Sequence, residues 1–190
     1  MVAPASAPVK NKLTGSNAEV TQYRQGRRCY LTGRDAGATV KTAMEIYKRF
    51  LPHWRMKGAT YFVTWRVKGD QNPLQPEERS LIVSTINHFD GVRFTIHAYV
   101  VMDDHVHVLF TPLDNWKVEK IVHTWKSFTA NRLQRSFSRS GKIWQREYFD
   151  RIARDESEFL EKGDYILGNP FKRWSDIGFY QWADVGKTYK

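Results

Sequence analysis

The chain has 190 residues, 41% of them hydrophobic and 14% aromatic, which suits a single folded domain with an extension. Its formal net charge of +10 predicts a polyanionic partner, most simply nucleic acid, with an anionic membrane surface as the competing interpretation. The single cysteine, Cys29, excludes an internal disulfide, and the sequence shows neither a bilayer-spanning apolar run nor a secretory signal pattern. We therefore expect a cytoplasmic protein that does not enter a membrane.

The first 56 residues are predicted to form an arm that is partly disordered or helical. Residues 1–38 are rich in Ala, Pro, Ser, Gly and Lys and show no sustained period. A helix is predicted over residues 39–51, where it would be ended by Pro52. Four arginines of the arm would either contact phosphate or remain solvated: Arg24, Arg27, Arg28 and Arg34.

The first elements of the following domain have clear boundaries. Residues 59–67 are dense in aromatic and β-branched residues and predict a strand. A helix then opens with Pro76 in its first turn and is closed by residues 90–91, Asp-Gly. Residues 94–102 and 105–111 predict two more strands, joined by a hairpin turn.

The second half of the domain repeats this alternation. A cap at residues 114–115, Asp-Asn, predicts a helix that runs to about Ser136, with Phe128 among the residues of its apolar face. Short strand pieces follow, the longer one at residues 149–153. The last helix is predicted to begin at Asp155, with Glu158 completing a capping box, and to end at the Asn-Pro pair before residue 171.

This order of elements predicts an α+β fold. Strand, helix, strand, strand, helix, strand is the ferredoxin-like split βαβ plan, a four-stranded antiparallel sheet with two helices on one face. The last helix would cover the other face. The predicted domains are an arm at residues 1–56, a folded domain at residues 57–173 and an aromatic, basic tail at residues 174–190.

Two histidines stand out within the third strand. His105 and His107 are two residues apart, so their side chains project from the same face and could bind one divalent cation. A histidine pair simply packed in the sheet is the plainer interpretation of so short a pattern. The apolar residues on both sides favour a buried strand, in which an imidazole pair needs partners.

The last helix carries a second candidate group. Tyr165 and Asn169 are four residues apart and lie on one side of the helix, so that Asn169 could supply a third ligand and Tyr165 a nucleophile. Considered separately, Tyr165 would be an ordinary packed tyrosine and Asn169 a helix cap. Tyr148 is the rival nucleophile, although a structural role suits it better.

Basic residues follow the same part of the chain. They form either a solvated face or a nucleic-acid surface, and the net charge and seven tryptophans favour the second interpretation. The candidate DNA-binding residues are Lys120, Lys126, Arg132, Arg135, Arg139, Lys142, Arg146, Lys172 and Arg173.

Four segments in this order resemble a known family. They are VMDDHVH at residues 101–107, WKSFTA at residues 125–130, IWQREYFDR at residues 143–151, and DYI with a following NP between residues 164 and 170. Together they resemble the REP-associated branch of the single-tyrosine HUH transposases, over about residues 57–173.

The resemblance implies a site and a reaction. It implies His105, His107 and Asn169 as metal ligands and Tyr165 as the nucleophile. It also implies cleavage and joining of single-stranded or hairpin DNA through a phosphotyrosine, with Mg²⁺ or Mn²⁺, by a monomer or homodimer. A non-catalytic hairpin DNA- or RNA-binding module and a replication-initiator or relaxase nickase are the alternatives; the position of the tyrosine after the histidines argues against the nickase.

The sequence departs from the family pattern in three places. Asp103 and Asp104 replace the usual Pro-Asn and place negative charge near the cation. Gly163 and Gly168 flank Tyr165, and each costs about 1 kcal/mol relative to alanine in a helix. We therefore predict that this helix is mobile, and hydrogen exchange as slow as that of the sheet would contradict the prediction. The long arm has no counterpart in the pattern.

Overall fold

The computed structural model describes residues 20–25, 28–33, 45–48 and 52–186, and the chain separates into two compact units, Met1–Lys57 and Gly58–Lys190. In the first unit, strand β1 (Val20–Gln25) pairs antiparallel with β2 (Arg28–Gly33). Strand β3 (Glu45–Lys48) likewise pairs with β4 (Pro52–Arg55).

These strands correct two predictions for the arm. The helix predicted over residues 39–51 is wrong where the structure describes it, because Glu45–Lys48 is a strand that pairs with the segment opened by Pro52. Cross-strand pairing outweighs a weak helical period over so few residues. Regular strands also replace part of the arm predicted over residues 1–38. The rest of that arm, with Arg27 and Arg34, lies outside the described residues.

The second unit is built on one antiparallel sheet. Its elements in chain order are β5 (Thr60–Arg66), α1 (Pro76–Asn87), β6 (Phe94–Val101), β7 (His105–Pro112), α2 (Val118–Ser136), β8 (Phe149–Ala153), α3 (Glu156–Arg173) and β9 (Ala183–Val185). The strand order is β8-β5-β7-β6-β9. The predicted α+β class is therefore confirmed. The predicted number of strands is wrong, because the sheet has five strands and not four.

The fifth strand comes from the segment predicted as a tail. β9 pairs with Ala98, Tyr99 and Val100 of β6, and the backbone N–H of Val101 donates to the carbonyl of Trp182. The strand ends where the N–H of Gly186 donates to the carbonyl of His97. A Cβ at Gly186 would lie 1.7 Å from the carbonyl oxygen of Ile96, so no side chain fits this contact. β9 is three residues long, too short for a period of two to be read from the sequence.

One face of the sheet packs against α1 and α2. Trp125 of α2 lies 5.9 Å from Trp65, 4.9 Å from Phe94 and 5.0 Å from Phe110, measured between ring centroids. Offset and edge-on aromatic pairs of this kind stabilise a core beyond the area that they bury. This face therefore supplies the main core of the unit and leaves the opposite face for α3.

The opposite face packs against α3, as predicted. Ile166 is fully buried among Phe62, Val100, Met102 and Leu109 of the sheet. The side chains of one helical stripe and one strand face thus form a second apolar cluster. This cluster holds the middle of α3 over β6 and β7.

Three helix predictions are wrong in detail. α2 begins after Lys117, not at a side-chain cap at residues 114–115, and Asp114 instead adopts a φ of 50°. Phe128, placed on the buried face of α2 by its spacing, is 50% exposed. α3 continues through Pro170 to Arg173, where the guanidinium pairs with Asp103 at 2.7 Å. Proline removes one backbone donor, and a tertiary ion pair at the last turn holds the helix beyond it.

The start of α3 is fixed to β8 by a cluster of charges. The Asp155 side chain accepts from the backbone N–H of Glu158 at 2.8 Å, which confirms the predicted cap. The Glu158 carboxylate does not complete the predicted box on Asp155. It accepts instead from Arg151 Nε at 2.5 Å and from Arg154 Nε at 2.8 Å. The buried carboxylate therefore joins β8 to the helix that carries Tyr165.

Glu158 should make the stability of the protein sensitive to acid. Burial acts to raise the pKa of its carboxyl group, but hydrogen bonds from Arg154 and Arg151 outweigh burial and lower the pKa from 4.5 to about 2. Such a carboxylate contributes stability that is complete above its unfolded pKa and is lost as the pH falls through its folded pKa. The difference in free energy of unfolding between the wild type and Glu158→Gln should therefore shrink between pH 4.5 and about 2.

Urea titrations followed by circular dichroism at several pH values would measure this difference. Glu156→Gln, an exposed change in the same helical turn, is the matched control. A difference that stays constant down to the lowest pH would show that the ion pairs of Glu158 do not contribute.

Within the part of the chain that the structure describes, none of the helices is both long and apolar enough to cross a bilayer.

Candidate active site

The two histidines lie side by side on the face of the sheet that α3 covers. His105 is paired across β5 and β7 with Arg66, and His107 is paired with Thr64. Directly opposed residues of an antiparallel pair project to the same face. The ring centroids of His105 and His107 are 4.6 Å apart. The predicted histidine pair is thus a pair in space as well as in sequence.

His107 occupies the buried end of this pair. Its Nδ1 is 2.6 Å from the Thr64 hydroxyl, and its Nε2 is buried without a hydrogen-bond partner among the described residues. Burial, helped by the charges of His105 and Arg66 and opposed by Asp104, lowers the pKa of His107 to about 3. The ring is therefore neutral near pH 7. With the Nδ1 proton donated to the hydroxyl, the Nε2 lone pair is left for a ligand.

His105 is oriented by a carboxylate. Its Nδ1 lies 2.5 Å from Asp104 Oδ1, and a carboxylate only accepts, so Nδ1 is the donor. Burial acts to raise the pKa of Asp104, but hydrogen bonds from His105 and Arg66 outweigh it and hold that pKa below its usual value. Metal-binding histidines are commonly held in this way through the nitrogen that does not bind the metal.

The negative charge expected from the two aspartates is largely neutralised within the protein. Asp104 accepts from Arg66 at 2.5 Å, and Asp103 accepts from Arg173 at 2.7 Å. The turn that replaces the family's Pro-Asn therefore joins β5 to the last turn of α3 through two ion pairs. Exposed pairs of this kind stabilise little but orient the groups that they connect.

Tyr165 lies beside His107. The two ring centroids are 5.3 Å apart, edge to face, and the Tyr165 ring also lies edge-on to Phe62 at 5.9 Å. The side chain is 40% exposed, and the ammonium of Lys172 lies 4.8 Å from its ring centroid. The Tyr165 ring thus lies next to His107, remains partly exposed and has the Lys172 ammonium beside it.

Asn169 lies one helical turn beyond Tyr165 and is buried. Among the described residues, no three His, Cys, Asp or Glu side chains are grouped to hold a metal. A cation at the histidine pair would therefore need a ligand of another kind, and an amide oxygen is one. The unpartnered Nε2 of His107 and the oriented ring of His105 fit a divalent metal ligand set, with Asn169 as the candidate third member.

Two candidate DNA-binding residues have internal partners instead. The guanidinium of Arg139 is largely buried and forms two bonds to the Glu78 carboxylate, at 2.5 and 2.6 Å. The ammonium of Lys126 donates to the carbonyls of Gln145 and Arg146 at 2.8 and 3.0 Å. These contacts connect Arg139 to the start of α1 and Lys126 to the loop before β8.

The other basic candidates are all exposed. Arg173 pairs with Asp103 and has a side chain 45% exposed, and Arg146 lies 3.9 Å from Glu147 and has a side chain 77% exposed. Tyr148, the rival nucleophile, is half-buried near Lys126, whose ammonium lies 5.9 Å from its ring centroid. Further exposed cations are Lys120, Arg132, Arg135, Lys142 and Lys172.

Several neighbours of the site were not predicted. Thr64, Arg66 and Phe62 all belong to β5, and each reaches the histidines or the tyrosine across the sheet. Alternation places these three residues on one face, but only the register of β5 against β7 brings them to this site. The aromatic density of residues 59–67 was the sole signal in the sequence.

An antiparallel sheet with a histidine pair, faced by a helix with an exposed tyrosine, is an arrangement consistent with the transposase motifs of the sequence. The chain belongs to the IS200-like transposase family, whose model matches residues 56–167. Members of this family are DNA-cleaving enzymes and are typically metal-dependent.

Relatives agree with this assignment. The chain is 29% identical over 132 residues to a protein of Haemophilus influenzae assigned as a REP-associated tyrosine transposase, covering 61% of this chain and 72% of the relative. It is 23% identical over 133 residues to the REP-associated tyrosine transposase of Escherichia coli K12, and the match covers 68% of this chain and 74% of the relative. The fold is similar to that of a REP-associated tyrosine transposase whose structure was solved bound to a REP hairpin. The TM-score is 0.59 at 21% sequence identity, and the match covers 74% of this chain and 82% of the other.

Proposed function

We propose that this protein cleaves and rejoins single-stranded DNA at hairpin-forming sites, through a covalent phosphotyrosine at Tyr165. The observation that carries the proposal is the meeting of this half-exposed phenol with the buried His107, at 5.3 Å between ring centroids. The family assignment supports the reaction class. The solved relative bound to a REP hairpin supports a hairpin substrate.

The proposed reaction exchanges one phosphate ester for another. The Tyr165 oxygen attacks phosphorus, a bond forms between them, and the bond to one deoxyribose oxygen breaks. The phenol loses a proton and the leaving oxygen gains one, so the products are a phosphotyrosine and a free DNA hydroxyl. The ester energy is retained, and attack by a DNA hydroxyl can rejoin strands without ATP.

Each protein group has a separate part in this scheme. His105, His107 and Asn169 would hold a divalent Mg²⁺ or Mn²⁺, which supplies Lewis-acid polarisation of a phosphate oxygen when bound. The Asp104 and Thr64 contacts orient the two imidazoles. Lys172 offers positive charge beside the attacking phenol.

A direct test incubates end-labelled hairpin oligonucleotides with the protein and Mn²⁺, followed by denaturing gel electrophoresis. We expect a protein–DNA adduct that survives SDS and does not form in excess EDTA. Hairpin binding without an adduct would instead indicate the non-catalytic binding module. Loss of both binding and adduct would contradict the assignment of a DNA substrate.

DNA binding should weaken as salt concentration rises. Each phosphate neutralised by the protein adds about −0.9 to the slope of log affinity against log salt. Replacing exposed Lys142 with alanine should make this slope shallower by about one phosphate contact. Fluorescence anisotropy over a salt series would measure the change. Lys162, whose ammonium already pairs with Glu161 at 2.7 Å, is the control, and a flat salt response in the wild type would contradict a phosphate interface.

A further inference from the structure

Phe149 is an aromatic residue without an assigned role that lies in register with Thr64 and His107 across three strands of the sheet. Thr64 is paired with His107 on one side and with Phe149, the first residue of β8, on the other. The three side chains therefore project from the same face on three neighbouring strands, with about 4.8 Å between adjacent strands. Phe149 lies at the edge of the candidate active site.

Phe149 is half in solvent, although its neighbours are buried. Its side chain is 51% exposed, whereas Phe62, which lies edge-on to it at 6.5 Å between centroids, is 7% exposed. Phe62 also lies edge-on to Tyr165, so one buried ring supports two exposed rings. The arrangement fixes the Phe149 ring without covering it.

Two guanidinium groups lie on the same face as Phe149. Arg151 lies two residues further along β8 with its side chain 48% exposed, and Arg66 lies two residues beyond Thr64 with its side chain 55% exposed. Each pairs with one carboxylate, Glu158 or Asp104, and each remains about half exposed. An open aromatic ring beside guanidinium groups suits a nucleotide, whose base stacks and whose phosphates are anionic.

We propose that Phe149 is the stacking platform for an unpaired base of the DNA strand, next to the phosphate that Tyr165 attacks. This inference rests on the proposed function, because it places the base by the neighbours that Phe149 shares with the site, Phe62 with Tyr165 and Thr64 with His107. The ring would position the strand by contact with the base and take no part in the chemistry. Stacking accepts any base, so the contact supplies affinity rather than sequence recognition.

The test compares two probes in EDTA, so that cleavage does not enter the measurement. One probe is a fluorescein-labelled oligothymidylate of 20 nucleotides, and the other is an abasic strand with the same number of phosphates. Phe149→Ala should bind the first probe roughly ten-fold more weakly than wild type and the second about equally well. Phe149→Trp should retain affinity for oligothymidylate, while Phe149→Leu, which keeps apolar volume without a ring, should not.

Phe128→Ala is the matched control, because Phe128 has the same exposure but lies on α2, which packs on the opposite face of the sheet. It should leave both affinities unchanged. The proposal is overturned if Phe149→Leu binds like wild type, or if Phe149→Ala loses nothing or loses equally on both probes. A wild type that binds neither probe also overturns this subsite, while the hairpin assay decides separately whether DNA is the substrate. Base-dependent binding without any adduct leaves this subsite standing and rejects the proposed chemistry.

Discussion

Replacing Tyr165 with phenylalanine is expected to abolish the covalent adduct with hairpin DNA while leaving DNA binding close to that of the wild type. The change removes one oxygen atom, the proposed nucleophile, and keeps the ring that packs on Phe62 and His107. Removal of a nucleophile typically costs several orders of magnitude in rate, and we expect roughly a thousand-fold or more. Adduct formation on denaturing gels and affinity by anisotropy would measure the two effects separately.

Tyr148→Phe is the matched control for this experiment. Tyr148 is half-buried next to Lys126, which holds the backbone of the preceding loop. Its loss should change the yield of adduct only a few-fold. An adduct that persists in Tyr165→Phe and disappears in Tyr148→Phe would transfer the role of nucleophile to Tyr148.

The largest effect on stability is expected from the buried ion pair between Glu78 and Arg139. Glu78 lies in the first turn of α1 and Arg139 in the loop after α2, so the pair joins two segments that are distant in sequence. Arg139 also donates to the carbonyls of Asn72 and Pro73, at 2.8 and 2.9 Å. Glu78→Ala would leave a guanidinium buried without its counterion, which costs about 3–5 kcal/mol.

Urea unfolding at neutral pH would measure this loss. Glu77→Ala is the control, since Glu77 is exposed in the same turn and contributes a few tenths of a kcal/mol through the helix dipole. If Glu78→Ala cost no more than Glu77→Ala, the pair would not stabilise the fold. A second test is the double variant Glu78→Leu/Arg139→Met, which removes both charges, leaves neither group buried without a partner, and should cost less than Glu78→Ala.

The two experiments separate the candidate site from its support. The Tyr165 change acts on chemistry with packing retained, whereas the Glu78 change acts on the connection between α1 and the loop after α2. Arg139 was predicted to contact DNA, and its contacts with Glu78 show why a basic residue in a basic stretch can be structural. Charge can be counted in a sequence, but the partner of a given charge cannot.

The sequence by itself determined the elements whose signals are local. The hairpin around His105 and His107, the cap at Asp155 and the α+β order follow from strand alternation, short turns and capping, each of which depends on residues a few positions apart. Tertiary structure alone decided the rest: that β9 adds a fifth strand, that α3 continues beyond Pro170, and that Thr64, Phe149 and Tyr165 gather around His107. These outcomes depend on strand register and on contacts between distant residues, and no short window of sequence contains either.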